Sequence, residues 1–289
     1  MAKVFVKFPK VGLGNMMLVW ARAVVFARMN NLPMVTSFWW GVRIGPFLRG
    51  EKQKRFYWGY FIESSVRQLL ATYLYAFTAN KIFEPALTEL STLQKTSRSL
   101  FVFTKFEVDK DLFGYIRNYS SLIRSELLKI LNPDLKRIYG NIEPPVISIH
   151  IRRGDFKHGT TLTPNAYFIK TIQMIRKVTG KELPVTIFTD ATTDEIKDIM
   201  QLPGTSLSNN KKDILDILSM SDSKIIILSG SSTFSYWGAF LSDAIVVRPL
   251  DWQKLIKKPE GNYVEFQWDG NSLDTALEIE KTVHKMMQR

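Results

Sequence analysis

Val4, Val6 and Phe8 alternate with charged or small residues, a period of two that predicts a short strand at the start of the chain. A glycine turn, Gly12-Leu13-Gly14-Asn15, follows it, and an apolar run predicts a helix from about Met16 to Arg28. Residues 36–60 show no period and read as an irregular aromatic and basic segment. Residues 61–78 and 109–131 read as helices, the second with Ile116, Tyr119, Ile123, Leu127 and Ile130 on one face. Asn132-Pro133, Gly140 and Pro144-Pro145 then break the pattern. Beyond them it becomes regular. Strands are predicted at 146–151, 185–189, 224–228 and 244–247, and helices at 164–177, 194–200, 213–220 and 233–241. Strands alternating with helices predict a mostly parallel sheet covered on both faces. The chain is therefore expected to be α/β, with an N-terminal domain over 1–143, a C-terminal domain over 144–270 and a closing helix in 271–289. Two Rossmann-like domains of this kind face each other across a cleft, with ligands at the carboxyl ends of the strands.

Composition narrows the chemistry. The 289 residues include no cysteine, which excludes Cys-ligated zinc, iron–sulfur clusters and thiol nucleophiles. The formal net charge is +12, and it is uneven. Residues 1–60 hold ten lysines and arginines against one acid, Glu51, so +9 of the +12 lies there. Such a face suits an anionic partner: a phosphate, an acidic membrane surface or nucleic acid. No apolar run reaches the ~18 residues of a membrane-spanning helix, and the alternating start does not read as a signal peptide. The expectation is a cytoplasmic protein resting against the inner face of a membrane. Trp20, Trp39, Trp40 and Trp58 fall in the same basic stretch. Residues 36–58 then either contact a sugar and touch anionic lipid, or form a solvated basic face over core tryptophans.

Four clusters can carry chemistry. His150-Ile151-Arg152-Arg153-Gly154-Asp155 follows the predicted 146–151 strand, with His150 and Arg152 on one side of the alternation. Arginines at a buried strand end need an anion or a carboxylate; they suit a bidentate grip on a diphosphate or an Arg–Asp clamp within the turn. Ser231 to Gly238 opens a helix, where hydroxyls cap the end or free N–H groups hold an anion. Gly12 to Asn15 lacks the third small residue of a dinucleotide fingerprint, because Met17 stands there. Asp190, after Phe188-Thr189, is a strand-end acid that can contact a base or sugar or cap the following helix. Asp109-Lys110-Asp111 has a metal-binding spacing but sits where a helix start favours acids. No metal site is expected.

The ordered set Gly12–Asn15, His150–Asp155, Phe188–Asp190 and Ser232–Gly238 resembles the α-1,2-fucosyltransferase family, glycosyltransferase family 11. Leu162-Thr163-Pro164-Asn165-Ala166-Tyr167 is similar to that family's leucine-proline-tyrosine segment, and Val11, Met16 and Thr189 depart from its pattern. The resemblance implies a GT-B type fold, with GDP-fucose as donor substrate in the C-terminal half and the acceptor at the N-terminal half. It implies no cofactor and no metal, and inversion from GDP-β-L-fucose to an α-fucoside, on galactose O2 of a surface glycan or lipid-linked glycan. On that basis Arg153, Asp155 and His150 are the expected catalytic residues. Gly14, Asn15, His150, Arg152, Arg153, Asp190, Ser232, Thr233, Phe234 and Ser235 are expected to bind the donor. Asp155 is the expected base, with His158 second. The alternatives are a related enzyme using another nucleotide sugar and a basic nucleic-acid-binding protein.

Overall fold

A computed structural model of the chain describes residues 1–41, 55–154, 162–251 and 254–288. The described residues form two compact α/β units that meet in sequence between Gly140 and Asn141.

In the first unit, β1 (Lys3–Val6), β2 (Met34–Thr36), β3 (Asn80–Phe83) and β4 (Ser99–Phe103) form a parallel sheet in the order β2-β1-β4-β3. Its two faces bury different residues. Val4, Val6, Phe101 and Phe103 pack on Val19, Ala23 and Phe26 of α1 (Leu13–Asn30). Phe5, Leu100 and Val102 pack on Leu69 of α2 (Val66–Thr78). Helix α1 begins at Leu13, earlier than its apolar run suggests, so Gly14 and Asn15 sit in its first turn rather than in a glycine loop. Helix α2 begins only at Val66, because Ser65 and Gln68 close a capping box there.

The expected helix over 109–131 is shorter than predicted. After the short α3 (Thr92–Thr96), residues 109–119 are turns, and α4 runs only over Ser120–Ile130. Asp111 does not serve a helix start; it pairs with Arg117 at 2.7 Å. Asn132-Pro133 does not end structure but starts it: the Asn132 side chain accepts the Asp134 N–H, and Pro133 is the first residue of α5 (Pro133–Tyr139).

The second unit holds β5 (Ile147–Ile151), α6 (Asn165–Thr179), β6 (Val185–Thr189), α7 (Lys197–Met200), β7 (Thr205–Leu207), α8 (Asp213–Ser221), β8 (Ile225–Ile227), α9 (Thr233–Phe240), β9 (Ile245–Arg248), β10 (Val264–Gln267) and α10 (Leu273–Met287). Its six strands are parallel, in the order β7-β6-β5-β8-β9-β10. That is the doubly wound Rossmann order, and the chain reverses direction across the sheet between β5 and β8. Ile147, Ile149 and Ile151 pack with Phe168, Ile172 and Ile175 of α6 and with Ile279 and Val283 of α10. The closing helix thus shares the core of the second unit. On the other face Ser148 and His150 alternate with those isoleucines; the Ser148 hydroxyl lies 2.6 Å from that of Ser223, and His150 lies against Phe234 of α9. Gly238 lets α9 approach α8, since a Cβ there would lie 3.0 Å from Met220 Cβ. Both of the expected Rossmann-like halves are present.

Candidate donor site

The second unit places its charged loops where a doubly wound sheet binds ligands, at the carboxyl ends on either side of the switch point. β5 ends in Ile151 and leads into Arg152-Arg153-Gly154; β6 ends in Thr189 and leads into Asp190; β8 leads through Leu228 into Ser229-Gly230.

These ends are tied to one another. Ser229 Oγ donates to the His150 carbonyl at 2.8 Å and accepts the Arg152 N–H at 3.0 Å, bridging β8 to β5. The Thr189 hydroxyl donates to the Ile151 carbonyl at 2.7 Å, bridging β6 to β5. Asp190 closes the loop: its Oδ1 accepts the Arg153 N–H at 2.7 Å, and its Oδ2 lies 2.5 Å from the Arg152 guanidinium. Gly154 is required beside it, because any Cβ at that position would overlap Asp190 Oδ2. Asp190 caps no helix.

The two arginines differ. Arg152 is partly exposed and paired with Asp190. Arg153 is buried, with its guanidinium donating to the Arg152 carbonyl at 2.9 Å and to Asn165 Oδ1 at 2.5 Å. Asn165 in turn donates to the Glu195 carbonyl and to Asp198, both at 2.7 Å. Burial lowers the pKa of Arg153, and Glu195, Asp190 and Asp198 oppose that. Arg153 therefore fixes the loop to the start of α6.

His150 is fully buried, with its ring centroid 5.2 Å from that of Phe234, and its Nδ1 has no hydrogen-bond partner. Burial first, and the Arg152 charge second, push its pKa down to about 3. It is a neutral imidazole at physiological pH. Its ring lies against Phe234 in the first turn of α9.

Ser232 occupies the cap position of α9 but makes no side-chain cap bond, so capping by Ser232 is not what this hydroxyl does. Its carbonyl accepts from the Ser235 hydroxyl at 3.1 Å. The first-turn N–H groups of Thr233, Phe234 and Ser235 lack intrahelical partners, as at any helix start. Ser231, in the left-handed region at φ 56°, donates its N–H to Tyr236 Oη at 2.8 Å. Tyr236 Oη donates to Asp251, whose other oxygen lies 2.5 Å from Arg248. Arg248 is wholly buried and also holds Glu265 at 2.6 Å. Sequence reading missed this network and Ser229. A serine directly after the 224–228 strand, and an arginine closing the 244–247 strand, were the available signals.

Asp155 and His158 lie outside the described residues. Gly14 is buried in α1, and Asn15, three residues into it, has a buried Oδ1 without a partner. Both belong to the first unit. Among the described residues no group of three or more His, Asp or Glu side chains could hold a metal ion.

Fold and site together define the class: a two-unit, doubly wound α/β protein with a braced, arginine-bearing loop at a Rossmann switch point. Residues 118–270, more than half the chain, match the family model "Glycosyl transferase family 11", and the chain belongs to that family. No curated protein matches it by sequence. Among solved structures it is similar to fucosyltransferase NodZ from Bradyrhizobium, at 10% identity over 84% of this chain and 94% of that one, with a TM-score of 0.48. Arabidopsis thaliana FUT1 in complex with GDP is similar at 13% identity over 90% and 73%, with a TM-score of 0.49. E. coli heptosyltransferase WaaC with ADP is similar at 8% identity over 98% and 99%, also with a TM-score of 0.49.

Proposed function

We propose that this glycosyltransferase moves L-fucose from GDP-β-L-fucose to the 2-hydroxyl of a terminal galactose on a glycan, with inversion and without a metal. The observation that carries the reading is the junction of three neighbouring strand ends, where Ser229, Thr189 and Asp190 lock the Arg152–Gly154 loop beside the start of α9. Family membership supports the group transferred.

The acceptor oxygen bonds to the anomeric carbon as the carbon–oxygen bond to the diphosphate breaks. The electron pair of that bond goes to the β-phosphate, and the acceptor proton goes to a base. Without a metal, fixed cations and N–H groups must stabilise the growing phosphate charge. Arg152 has the accessible guanidinium, so it takes that role together with the N–H groups at Thr233–Ser235. Arg153 is its positioning residue. His150 offers its unpartnered Nδ1 to a donor hydroxyl. Asp155 takes the proton, with His158 second.

The test is GDP release in EDTA, with GDP-fucose or GDP-mannose, with and without a galactose-terminated oligosaccharide. Release requiring GDP-fucose and rising with acceptor is expected. Arg152→Ala should lower turnover about 10²- to 10³-fold, the effect of removing one transition-state charge partner. Arg153→Ala should raise the GDP dissociation constant as well, by loosening the loop. Activity only with another donor would keep the fold and overturn the sugar. Activity lost on EDTA would overturn the metal-free step.

A further inference from the structure

Helix α2 buries Leu69 and Thr72 against its own sheet and leaves a second face bare. On that face Val66, Leu70, Leu74 and Phe77 are 61%, 59%, 68% and 84% exposed. Their spacing of four, four and three residues sets them in one stripe. An apolar stripe of this size is seldom left uncovered on a soluble protein.

The segment that holds this face carries one sign of charge. Residues 64–83 contain Arg67 and Lys81, both exposed, and no acid. Tyr75 of the same helix has Lys3 Nζ 4.8 Å and the Arg98 guanidinium 5.5 Å from its ring. The acids that bracket the segment are engaged elsewhere. Glu63 accepts the Trp39 N–H, and Glu84 pairs with Arg22 at 3.0 Å. An aromatic path adjoins the helix: Phe38 packs against the Leu69 cluster and stacks on Trp40 at 5.5 Å, and Trp40 meets the exposed Trp58 at 4.9 Å. Trp20 and Trp39, by contrast, are core residues. Among the described residues no helix is long and apolar enough to cross a membrane.

We infer that the exposed face of α2 docks on the headgroup layer of an anionic bilayer. Leu70, Leu74 and Phe77 enter the boundary between headgroups and acyl chains, and Lys3, Arg67, Lys81 and Arg98 meet lipid phosphates. A helix with one apolar face, no acid of its own and cations beside it is built for that surface. A second copy would oppose the same cations to themselves. The inference stands on this surface alone and does not depend on the identity of the donor.

The full chain is pelleted with vesicles of phosphatidylcholine alone or mixed with phosphatidylglycerol, at low and high salt. Strong partitioning onto the mixed vesicles, weakened by salt, is expected. Leu74→Ser with Phe77→Ser should reduce it about tenfold or more. Arg67→Glu with Lys81→Glu should abolish the preference for anionic lipid. All four positions are exposed, so melting temperature and GDP binding should stay at wild-type values, showing that the variants fold. Wild-type protein left in the supernatant overturns the inference, as does a stripe variant that pellets like wild type. So does a stripe variant that turns a dimer into a monomer in light scattering while vesicle binding is unchanged.

Discussion

Gly154 has no room for a side chain, because Asp190 Oδ2 occupies the space a Cβ would take. Gly154→Ala must therefore displace either the carboxylate or the loop, and each move breaks the Arg152–Asp190 pair. Overpacking of this kind costs about 1–3 kcal/mol. Here it falls on the loop proposed to bind the donor, so calorimetry should show GDP affinity reduced more than tenfold; unchanged affinity would show the clamp to be irrelevant to the donor. His150 makes a prediction of a different kind. Its pKa is depressed from 6.5 to about 3, so its neutral form is favoured on folding. That stability is present above pH 6.5 and is lost as pH falls toward 3. Replacing the ring by Gln should flatten the acid limb of the stability curve by up to about 1.4 kcal/mol per pH unit, read from urea denaturation at several pH values. The residue types of the site were legible in sequence, because arginines and hydroxyls at strand ends carry their chemistry in their identity. Their pairings were not. Asp190 reads as a ligand or a cap from its position, yet its partners Arg152 and Arg153 lie in a loop on the adjacent strand. Ser229 acquires its role only from the pairing of β8 with β5.

The helices and inner strands of the second unit were legible almost to the residue; its edge strands and much of the first unit were not. β5, β6, β8 and β9 lie inside a parallel sheet, buried on both faces, so they appear as short β-branched runs between turn residues. β2, β3, β7 and β10 are edge strands of three or four residues, and their mixed, partly exposed sequences leave no period to read. The stretch over 109–131 has helical spacing throughout, yet Asp111 and Arg117 pair across a turn that ends the pattern before Ser120. The glycine of the Trp237-Gly238 pair has an element-scale reason. It sits where α9 crosses Met220 of α8, with contact at 3.0 Å for an added Cβ. Gly238→Ala should therefore destabilise the protein by about 1–3 kcal/mol, although Ala is the better helix former by about 1 kcal/mol. A variant more stable than wild type in thermal unfolding would show that α8 and α9 can separate without cost.

For the whole molecule, pH acts through groups that oppose one another. Burial raises Glu63 from 4.5 to about 7, against the single hydrogen-bonded N–H of Trp39. Burial likewise raises Asp216 from 3.8 to about 6, although Ser208 and Asn210 donate to it. Both carboxyls favour the folded state when protonated. Their contribution is complete below their unfolded pKa values and is lost as pH rises through the folded ones. His150 works in the other sense, so between about pH 4.5 and 6.5 the acids and the histidine pull in opposite directions. Above pH 7 only the carboxyl penalty remains. Glu63→Gln keeps the size of the side chain and an acceptor for the Trp39 N–H, and it removes the titration. At pH 8 the variant should be more stable than wild type by about 1–2 kcal/mol, a figure reduced for the partial solvent screening of this half-buried carboxyl. At pH 4, where wild-type Glu63 is neutral in the folded state and largely protonated in the unfolded chain, the two proteins should unfold at nearly the same urea concentration. An advantage that persists unchanged to pH 4 would assign it to packing rather than to charge. No advantage at pH 8 would mean that the carboxylate finds enough water at the end of β2 to ionise freely.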